Sequence, residues 1–332
     1  MDLFPYQQKT VTFIKRSKKE KMDIIQMHDE LLSSFNMFFS SRNYCRLLPV
    51  GFTSQVDKSV YLINSATNLF KQYLDNIDVH AFAIQPSMRT QNLLDFYREE
   101  TETEYPTCFV SYGAYSSINN LSDFCDDCVS FFESIGFIPA LMRIRASSAD
   151  TELIKAVEST HPLQLQLDMR SEKYDHYYGQ GITGRAIKID YYQNFLLRYK
   201  NLCYIIIISE DGLQRGVELA TSDQLILMRL NNKRYGVSVA KIASLLPTNT
   251  FAERRFADSI VGISNLLREG IRPNSSNTNG RTLKKYIDAA HYFGSALDYT
   301  NDNILEWIAC YYQMEYFSLP NVENVERYLR KR

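Results

Sequence analysis

The first strong pattern along the chain is helical. Between residues 17 and 40, apolar side chains recur every three to four residues with one seven-residue step, which places them on one face of a long helix. The members of that face are Met22, Ile25, Leu32, Phe35 and Phe39. Further helices are expected over residues 64–74, 121–135 and 149–158.

Short apolar runs between these helices predict strands, at residues 47–51, 59–63, 80–84, 107–112, 141–145, 186–191, 204–209 and 216–219. Four successive isoleucines in 204–209 are typical of a strand that is buried on both faces. The strands 80–84 and 107–112 are separated by the segment DFYREETETEY. Because this segment is too acidic and polar for a core, we expect an exposed loop between two antiparallel strands.

From Val237 onward the pattern is helical almost to the end, apart from one turn-rich loop over residues 270–280. Mixed strands and helices followed by helices predict an α+β fold, in which an antiparallel sheet flanked by helices precedes a helical subdomain. The predicted boundary divides the chain into a domain over residues 1–245 and a helical subdomain over residues 246–332.

Composition narrows the class of protein. Hydrophobic residues make up 45% and charged residues 23% of the 332 residues, which is ordinary for a globular protein. The net charge of −1 gives no overall attraction to nucleic acid. The N-terminal segment has no apolar signal region, and the longest apolar run is too short to cross a bilayer. We therefore expect a cytoplasmic protein with reduced cysteines and no membrane contact.

Two motifs have plainer explanations than the chemistry they suggest. Gly179 to Gly184 match the pattern G-x-G-x-x-G, but a dinucleotide site needs a preceding strand and a following helix, and neither is predicted here. A turn that brings the backbone close to another group fits better. Cys125 and Cys128 have no second pair of metal ligands and lie among core-like phenylalanines, so structural thiols are favoured over zinc.

Arg89 carries a more specific signal, because it ends the strand AFAIQPSMR and faces the strand TCFVSYG across the acidic loop. A surface ion pair with Asp95 or Glu99 is one interpretation. The other is a guanidinium that binds a phosphate, with Phe109 on the partner strand offering its ring face to a base. Local sequence leaves both open.

Five segments, taken in order, resemble alanyl-tRNA synthetases, which are class II aminoacyl-tRNA synthetases. The resemblance covers about residues 28–300. The first two class II motifs are matched by YLINSATNLFKQYL (61–74) and by IQPSMR with TCFVSYGAYS (84–89, 107–116). A glycine-rich strand beside the substrate pocket and the third motif are matched by GQGITGRAIKIDY (179–191) and RGVELATSDQLILMRL (215–230). The fifth segment, FADSIVGISNLLREGIRPNSSNTNGRTLKKYIDAAHYFG (256–294), resembles the family's helical region.

The resemblance implies a class II synthetase-like sheet and the use of ATP with Mg2+ to activate an amino acid as its adenylate. By the same resemblance, Arg89 binds the α-phosphate of ATP and Phe109 packs on adenine. Glu218 occupies the place of an acidic residue that binds the amino group, which is sensible because a buried ammonium needs a charged acceptor. The substrate pocket is expected beside Gly181, Thr183 and Gly184.

The sequence departs from the family's pattern at three positions. Leu225 stands where the third motif has an arginine for the γ-phosphate, and Arg229, one turn later, is the candidate substitute. The lysine expected after Arg89 is lost near Leu93, and the pocket asparagine is lost near Tyr204. Loss of a fixed cation slows phosphoryl-type chemistry.

The resemblance therefore leaves two main functions. The first is a stand-alone relative that activates an amino acid for transfer to an acceptor, possibly not tRNA. The second is a catalytically dead paralogue that binds RNA, a small ligand or a protein. A structural α+β protein with chance likeness is the third alternative.

Two partner expectations also come with the resemblance. One is a homodimer formed through the first-motif region. The other is tRNA, because Arg281, Lys284 and Lys285 form a basic cluster at a predicted helix N-terminus. The net charge and the acidic stretch 99–104 oppose RNA, and a solvated helix face explains the cluster equally well. We expect tRNA contact to be weak or absent.

Overall fold

The computed structural model describes residues 23–76, 78–159, 161 and 163–331. Its strands form one sheet in the order β1-β2-β3-β9-β8-β7-β4-β5, with β6 pairing to β7. The strands are β1 Cys45–Leu47, β2 His80–Met88, β3 Cys108–Ser117, β4 Met142–Ser147, β5 Gln164–Asp168, β6 Asp175–Gly179, β7 Ile182–Gln193, β8 Arg198–Glu210 and β9 Leu213–Ser222. Only β1–β2 and β4–β5 are parallel pairs. The prediction of an α+β fold with an antiparallel sheet is confirmed.

The helices in the first part of the chain flank this sheet, and those that follow the last strand form a helical region. They are α1 Ile24–Ser40, α2 Thr67–Phe70, α3 Leu121–Ser134, α4 Thr151–Glu158, α5 Asp223–Leu230, α6 Phe251–Arg268, α7 Thr278–Ser295, α8 Asn301–Tyr316 and α9 Glu323–Leu329. The predicted helix over 64–74 is shorter, and residues 59–63 form turns instead of a strand. Met22 lies outside the described residues.

The two faces of the sheet carry different layers. Ile205 and Ile207 of β8 belong to a core shared with α1, α3 and α4, whereas Ile206 and Ile208 face the opposite side with Phe70 of α2. All four isoleucines are at most 3% exposed, so the predicted burial of both faces is confirmed. We call the face that carries Ile206 the cleft face.

The loop between β2 and β3 is not the fully exposed segment that its composition predicts. Phe96 is completely buried, with its ring centroid 6.1 Å from that of Tyr286 and 6.2 Å from that of Phe293, both on α7. The Glu102 carboxylate binds the Arg254 guanidinium of α6 at 2.6 Å. The buried Phe96 ring and the ion pair between Glu102 and Arg254 therefore attach this acidic loop to the helical region.

The helical region packs against the end of the sheet. One hydrophobic core joins Met88 and Cys108 of the central strands to α6, α7, α8 and α9. The domain boundary near residue 245 stays a prediction.

Cys125 and Cys128 are fully buried on α3, and burial raises the pKa of both thiols. Their core-like surroundings are as predicted. Within the described ranges, no three His, Cys, Asp or Glu side chains are placed to hold a metal ion. No described helix combines the length and apolar character that crossing a membrane requires.

Candidate functional site

The glycine-rich segment forms a β-hairpin on the cleft face. Gly179 pairs with Ile182 across the two-residue turn Gln180–Gly181, and both turn residues have positive φ. This is the geometry of a type I′ hairpin turn. The segment is therefore a hairpin turn, as the sequence favoured, and lacks the strand–turn–helix context of a dinucleotide loop.

Side chains from five strands and the loop before β3 line a cleft on this face. Alternation along the strands, read with the register of their neighbours, selects most of them. Tyr178 is placed by its ring against Gly184, and Tyr105 by its electrostatic interaction with Tyr204 and Arg89. They are Arg89, Tyr105, Phe109, His176, Tyr178, Lys188, Tyr204 and Glu218. The cleft therefore contains a carboxylic acid, cations and several aromatic rings.

Arg89 lies at the mouth of this cleft, one residue beyond β2. Its side chain is exposed, yet the surrounding protein lowers the pKa of its guanidinium, chiefly by burial. A side chain that is exposed and yet surrounded by protein atoms lies in a concave part of the surface. Its Nε donates to the Asn64 carbonyl at 3.3 Å, and its Cζ lies 5.1 Å from the centroid of the Phe109 ring.

The alternative of a surface ion pair is not realised. Among the described residues no carboxylate pairs with Arg89, and Asp95 instead pairs with Arg98 at 3.6 Å. The Arg89 guanidinium therefore occupies the ring face of Phe109 that the sequence resemblance assigns to a base.

Glu218 forms the floor of the cleft. It is completely buried on β9, and its Oε1 accepts a hydrogen bond from Thr67 Oγ1 at 2.7 Å. Its Oε2 has no hydrogen-bond partner among the described residues. Burial raises the pKa of this carboxyl to about 8, against smaller opposite effects of Thr67 and Lys71.

Tyr178 joins the two ends of the cleft. Burial and the Glu218 carboxylate raise the pKa of its hydroxyl, and the Arg89 guanidinium opposes them. Tyr178 is therefore close enough to both Glu218 and Arg89 for their charges to affect its hydroxyl. Its carbonyl accepts from Lys71 Nζ at 2.7 Å, which ties the β6–β7 hairpin to the first-motif segment.

Of the three predicted hairpin residues, only Gly184 reaches the cleft. A Cβ at Gly184 would lie 3.0 Å from the Tyr178 ring, so its absence lets that ring lie flat on the strand. Thr183 is the neighbouring residue and points to the opposite face. Gly181 lies at the hairpin tip, where its carbonyl accepts from the Asp211 amide at 3.2 Å. The structure brings neither Thr183 nor Gly181 to Glu218.

Arg229 is engaged elsewhere. It is 2% exposed, its Nε donates to the Asn201 carbonyl at 2.9 Å, and its Nη2 pairs with Glu104 at 3.2 Å. Leu225 is buried in the core with α5. Neither position therefore supplies the arginine that the third motif has in the family, because α5, which carries both residues, packs into the protein interior.

The described carboxylates do not form a magnesium site at the cleft. Two described carboxylates lie on the cleft face, Glu218 and, at the edge nearest β4, Asp190, and both oxygens of Asp190 bind arginines. Asp223, at the start of α5, accepts from the Val110 amide at 3.0 Å and lies 3.2 Å from His28 Nδ1.

Sequence reasoning missed four cleft residues, namely Tyr105, His176, Tyr178 and Lys188. The sequence feature that could have identified them is strand alternation, because His176 and Tyr178 lie two residues apart on one strand. His176 and Tyr178 stack with centroids 6.0 Å apart, and Lys188 Nζ lies 5.2 Å from the centroid of the Tyr204 ring.

The basic cluster of α7 binds its own loop. Arg281 Nη1 donates to the Ser275 carbonyl at 3.1 Å, and Lys284 Nζ donates to Ser275 Oγ at 2.7 Å. Lys285 is exposed.

No model of a known protein family matches the chain, and no curated protein matches it. Among solved structures it is similar to the histidyl-tRNA synthetase of S. aureus, with 15% identity, a TM-score of 0.43, and coverage of 66% of this chain and 70% of that one. It is also similar to the pyrrolysyl-tRNA synthetase of Desulfitobacterium hafniense, with 9% identity, a TM-score of 0.41, and coverage of 64% and 71%.

A third similar structure is the asparaginyl-tRNA synthetase of Entamoeba histolytica in complex with asparaginyl-adenylate, with 8% identity, a TM-score of 0.42, and coverage of 66% of each chain. The similarity is to class II aminoacyl-tRNA synthetases and is one of fold. The likeness to alanyl-tRNA synthetases in particular stays a prediction.

Proposed function

We propose that the cleft binds ATP and an amino acid and joins them as an aminoacyl-adenylate. The observation that carries this proposal is Glu218, a completely buried carboxyl with one unpartnered oxygen, in a cleft that also contains the unpaired Arg89 guanidinium. A buried carboxylate without a partner is costly, and a ligand ammonium removes that cost. A zwitterionic amino acid beside a phosphate matches this pair of charges.

The chain's own groups would act by positioning and charge neutralisation. Glu218 holds the ammonium, and Arg89 neutralises the α-phosphate. One oxygen of the amino acid carboxylate then attacks the α-phosphorus, the bond to the oxygen bridging to the β-phosphate breaks, and pyrophosphate leaves with that electron pair. An acceptor nucleophile, which need not belong to tRNA, then attacks the carbonyl carbon and loses its proton, and AMP leaves with the electron pair of the broken C–O bond.

A second function is favoured by a specific observation at α5. Leu225 is buried and the Arg229 guanidinium pairs with Glu104, so neither position matched to the third motif supplies an unpaired cation for the leaving phosphates. A module that binds nucleotide and amino acid without joining them fits this arrangement. Amino-acid-dependent exchange of pyrophosphate into ATP decides between the two: exchange supports the enzyme, and ligand binding without exchange supports the binding module.

We expect Arg89→Ala to remove the rise in melting temperature that ATP causes in the wild-type protein. Binding to the native state raises stability by mass action, and Arg89 is the phosphate anchor. The unliganded melting temperature should change by only a few degrees, because Arg89 makes no described ion pair. Thermal unfolding with and without ATP measures both quantities.

Arg98→Ala is the matched control, since Arg98 is exposed on the same loop and pairs only with the exposed Asp95. The control should keep the ATP response. An unchanged ATP response in Arg89→Ala would place the nucleotide site elsewhere.

We also expect no tight tRNA binding at about 0.15 M salt. Arg281 and Lys284 already bind Ser275, and a few surface cations give only weak, salt-dependent binding. Filter binding measures the affinity. Submicromolar binding that is lost in the double variant Lys284→Ala/Lys285→Ala would restore tRNA as the acceptor.

A further inference from the structure

The end of the cleft nearest β4 carries more positive than negative charge. Arg143 and Arg145 of β4 lie opposite Asp190 and Lys188 of β7, so the four side chains share one face. Both oxygens of Asp190 are taken, by Arg143 Nη2 at 3.0 Å and by Arg145 Nη2 at 2.9 Å. Three cations therefore share one carboxylate, which is completely buried.

Lys188 is the cation left without a partner. Among the described residues no carboxylate forms an ion pair with it. Its Nζ lies 5.4 Å from the centroid of the Tyr174 ring and 5.2 Å from that of Tyr204. Burial, and then Arg145, lower the pKa of its ammonium.

Two nitrogen atoms near the Lys188 ammonium have no hydrogen-bond partner in the part of the chain that the structure describes. Arg145 Nε and His176 Nε2 are buried and have no hydrogen-bond partner among the described residues. Arg145 Nε is a buried donor without an acceptor, which is costly, and a ligand acceptor would remove that cost. His176 Nε2 is a further donor in the tautomer that carries the proton on this nitrogen. The arrangement fits a small anion.

This cationic end is continuous with the proposed active cleft. Lys188 and Arg89 both lower the pKa of His176, after the larger effect of burial. Lys188 lies on β7 and Glu218 on β9, with β8 between them. Lys188 is in register with Tyr204 and Ala220, whereas Glu218 is in register with Ile206, so the two residues are also offset by two positions along the strands. Two strand spacings of about 10 Å, combined with this offset, separate their backbones by about 12 Å.

We propose that the amino acid substrate carries an anionic side chain, which Lys188 binds while Glu218 binds the ammonium. The inference rests on the proposed function, because it assumes that Glu218 holds an amino group. Charge complementarity carries it: the cleft offers an acid on its floor and an unpaired cation two strands away. A neutral side chain would leave Lys188 as it is, without an acceptor.

Aspartate, glutamate and phosphoserine share this chemistry, and the experiment separates them. Binding of each to the full chain with saturating ATP is measured by calorimetry, beside asparagine, glutamine and alanine. We expect an acidic amino acid to bind at least about tenfold more tightly than its amide, as a charge-assisted hydrogen bond provides. Succinate and glutarate, which lack the ammonium, should bind poorly.

Lys188→Gln should remove the preference for acid over amide and leave the ATP response intact. Lys155→Gln is the matched control, because Lys155 is exposed on α4 and pairs with no described carboxylate. The control should keep the preference.

Equal or tighter binding of the amide by the wild-type protein would overturn the inference, as would an unchanged preference in Lys188→Gln. If the ATP response still depends on Arg89 in that case, the proposed function survives and only the side-chain class is wrong. If neither ATP nor any amino acid binds the wild-type protein, the proposed function fails and this inference fails with it.

Discussion

Glu218→Gln should abolish measurable amino acid binding while ATP binding changes little. The amide keeps the shape of the side chain and its contact with Thr67 but cannot neutralise a buried ammonium. Removing one partner of a buried charge pair costs about 3–5 kcal/mol, which is more than a hundredfold in affinity. Calorimetry with amino acid and with ATP separately measures the two effects.

Glu158→Gln is the control, since Glu158 is exposed on α4. Comparable loss of ATP and amino acid binding in Glu218→Gln would mean that the substitution damages the fold instead of one contact.

The pH dependence of the unliganded protein tests the same residue. The pKa of Glu218 is about 8 in the folded state, against 4.5 for an ordinary glutamate, and burial is the main cause. Between these values the folded state holds a proton that the unfolded state has lost. Stability from this group is therefore present below about pH 4.5 and is lost as the pH rises to 8, by up to about 1.4 kcal/mol per pH unit.

Glu218→Gln should flatten that decline, and denaturant unfolding at several pH values measures it. Amino acid binding should release a proton below pH 8, because the ammonium binds the ionised carboxylate. A decline that persists unchanged in Glu218→Gln would assign it to another group.

Phe96→Ala should have the second large effect, lowering the free energy of unfolding by about 3–5 kcal/mol. The ring is completely buried against Tyr286 and Phe293, so its removal leaves a cavity between the β2–β3 loop and α7. Because the loop begins at Arg89, ATP binding should weaken as well. Urea unfolding measures the stability.

Phe195→Ala is the matched control, because Phe195 is 66% exposed and should change stability by less than about 0.5 kcal/mol. A loss below about 1 kcal/mol in Phe96→Ala would show that the loop is not anchored by this ring.

Local pattern in the sequence was enough for most elements and for part of the cleft. The strand that ends next to Arg89, the strand that contains Phe109 and the helix α3 follow from neighbouring residues alone. Periodicity is a property of a few consecutive residues, so it can be recognised without knowledge of the fold.

Tertiary structure decided which of these residues meet. Alternation says that Thr183 and Gly184 face opposite ways, but only the register with β8 tells which one faces the cleft. Arg229 matched a motif by spacing, yet Glu104, 125 positions away, holds it. The acidic composition of its loop predicted that Phe96 is exposed, but in the folded protein the ring is buried against aromatic residues of α7. Burial and pairing between distant segments depend on the packed fold, and so do the Glu218 oxygen without a hydrogen-bond partner and the Lys188 ammonium without a carboxylate among the described residues.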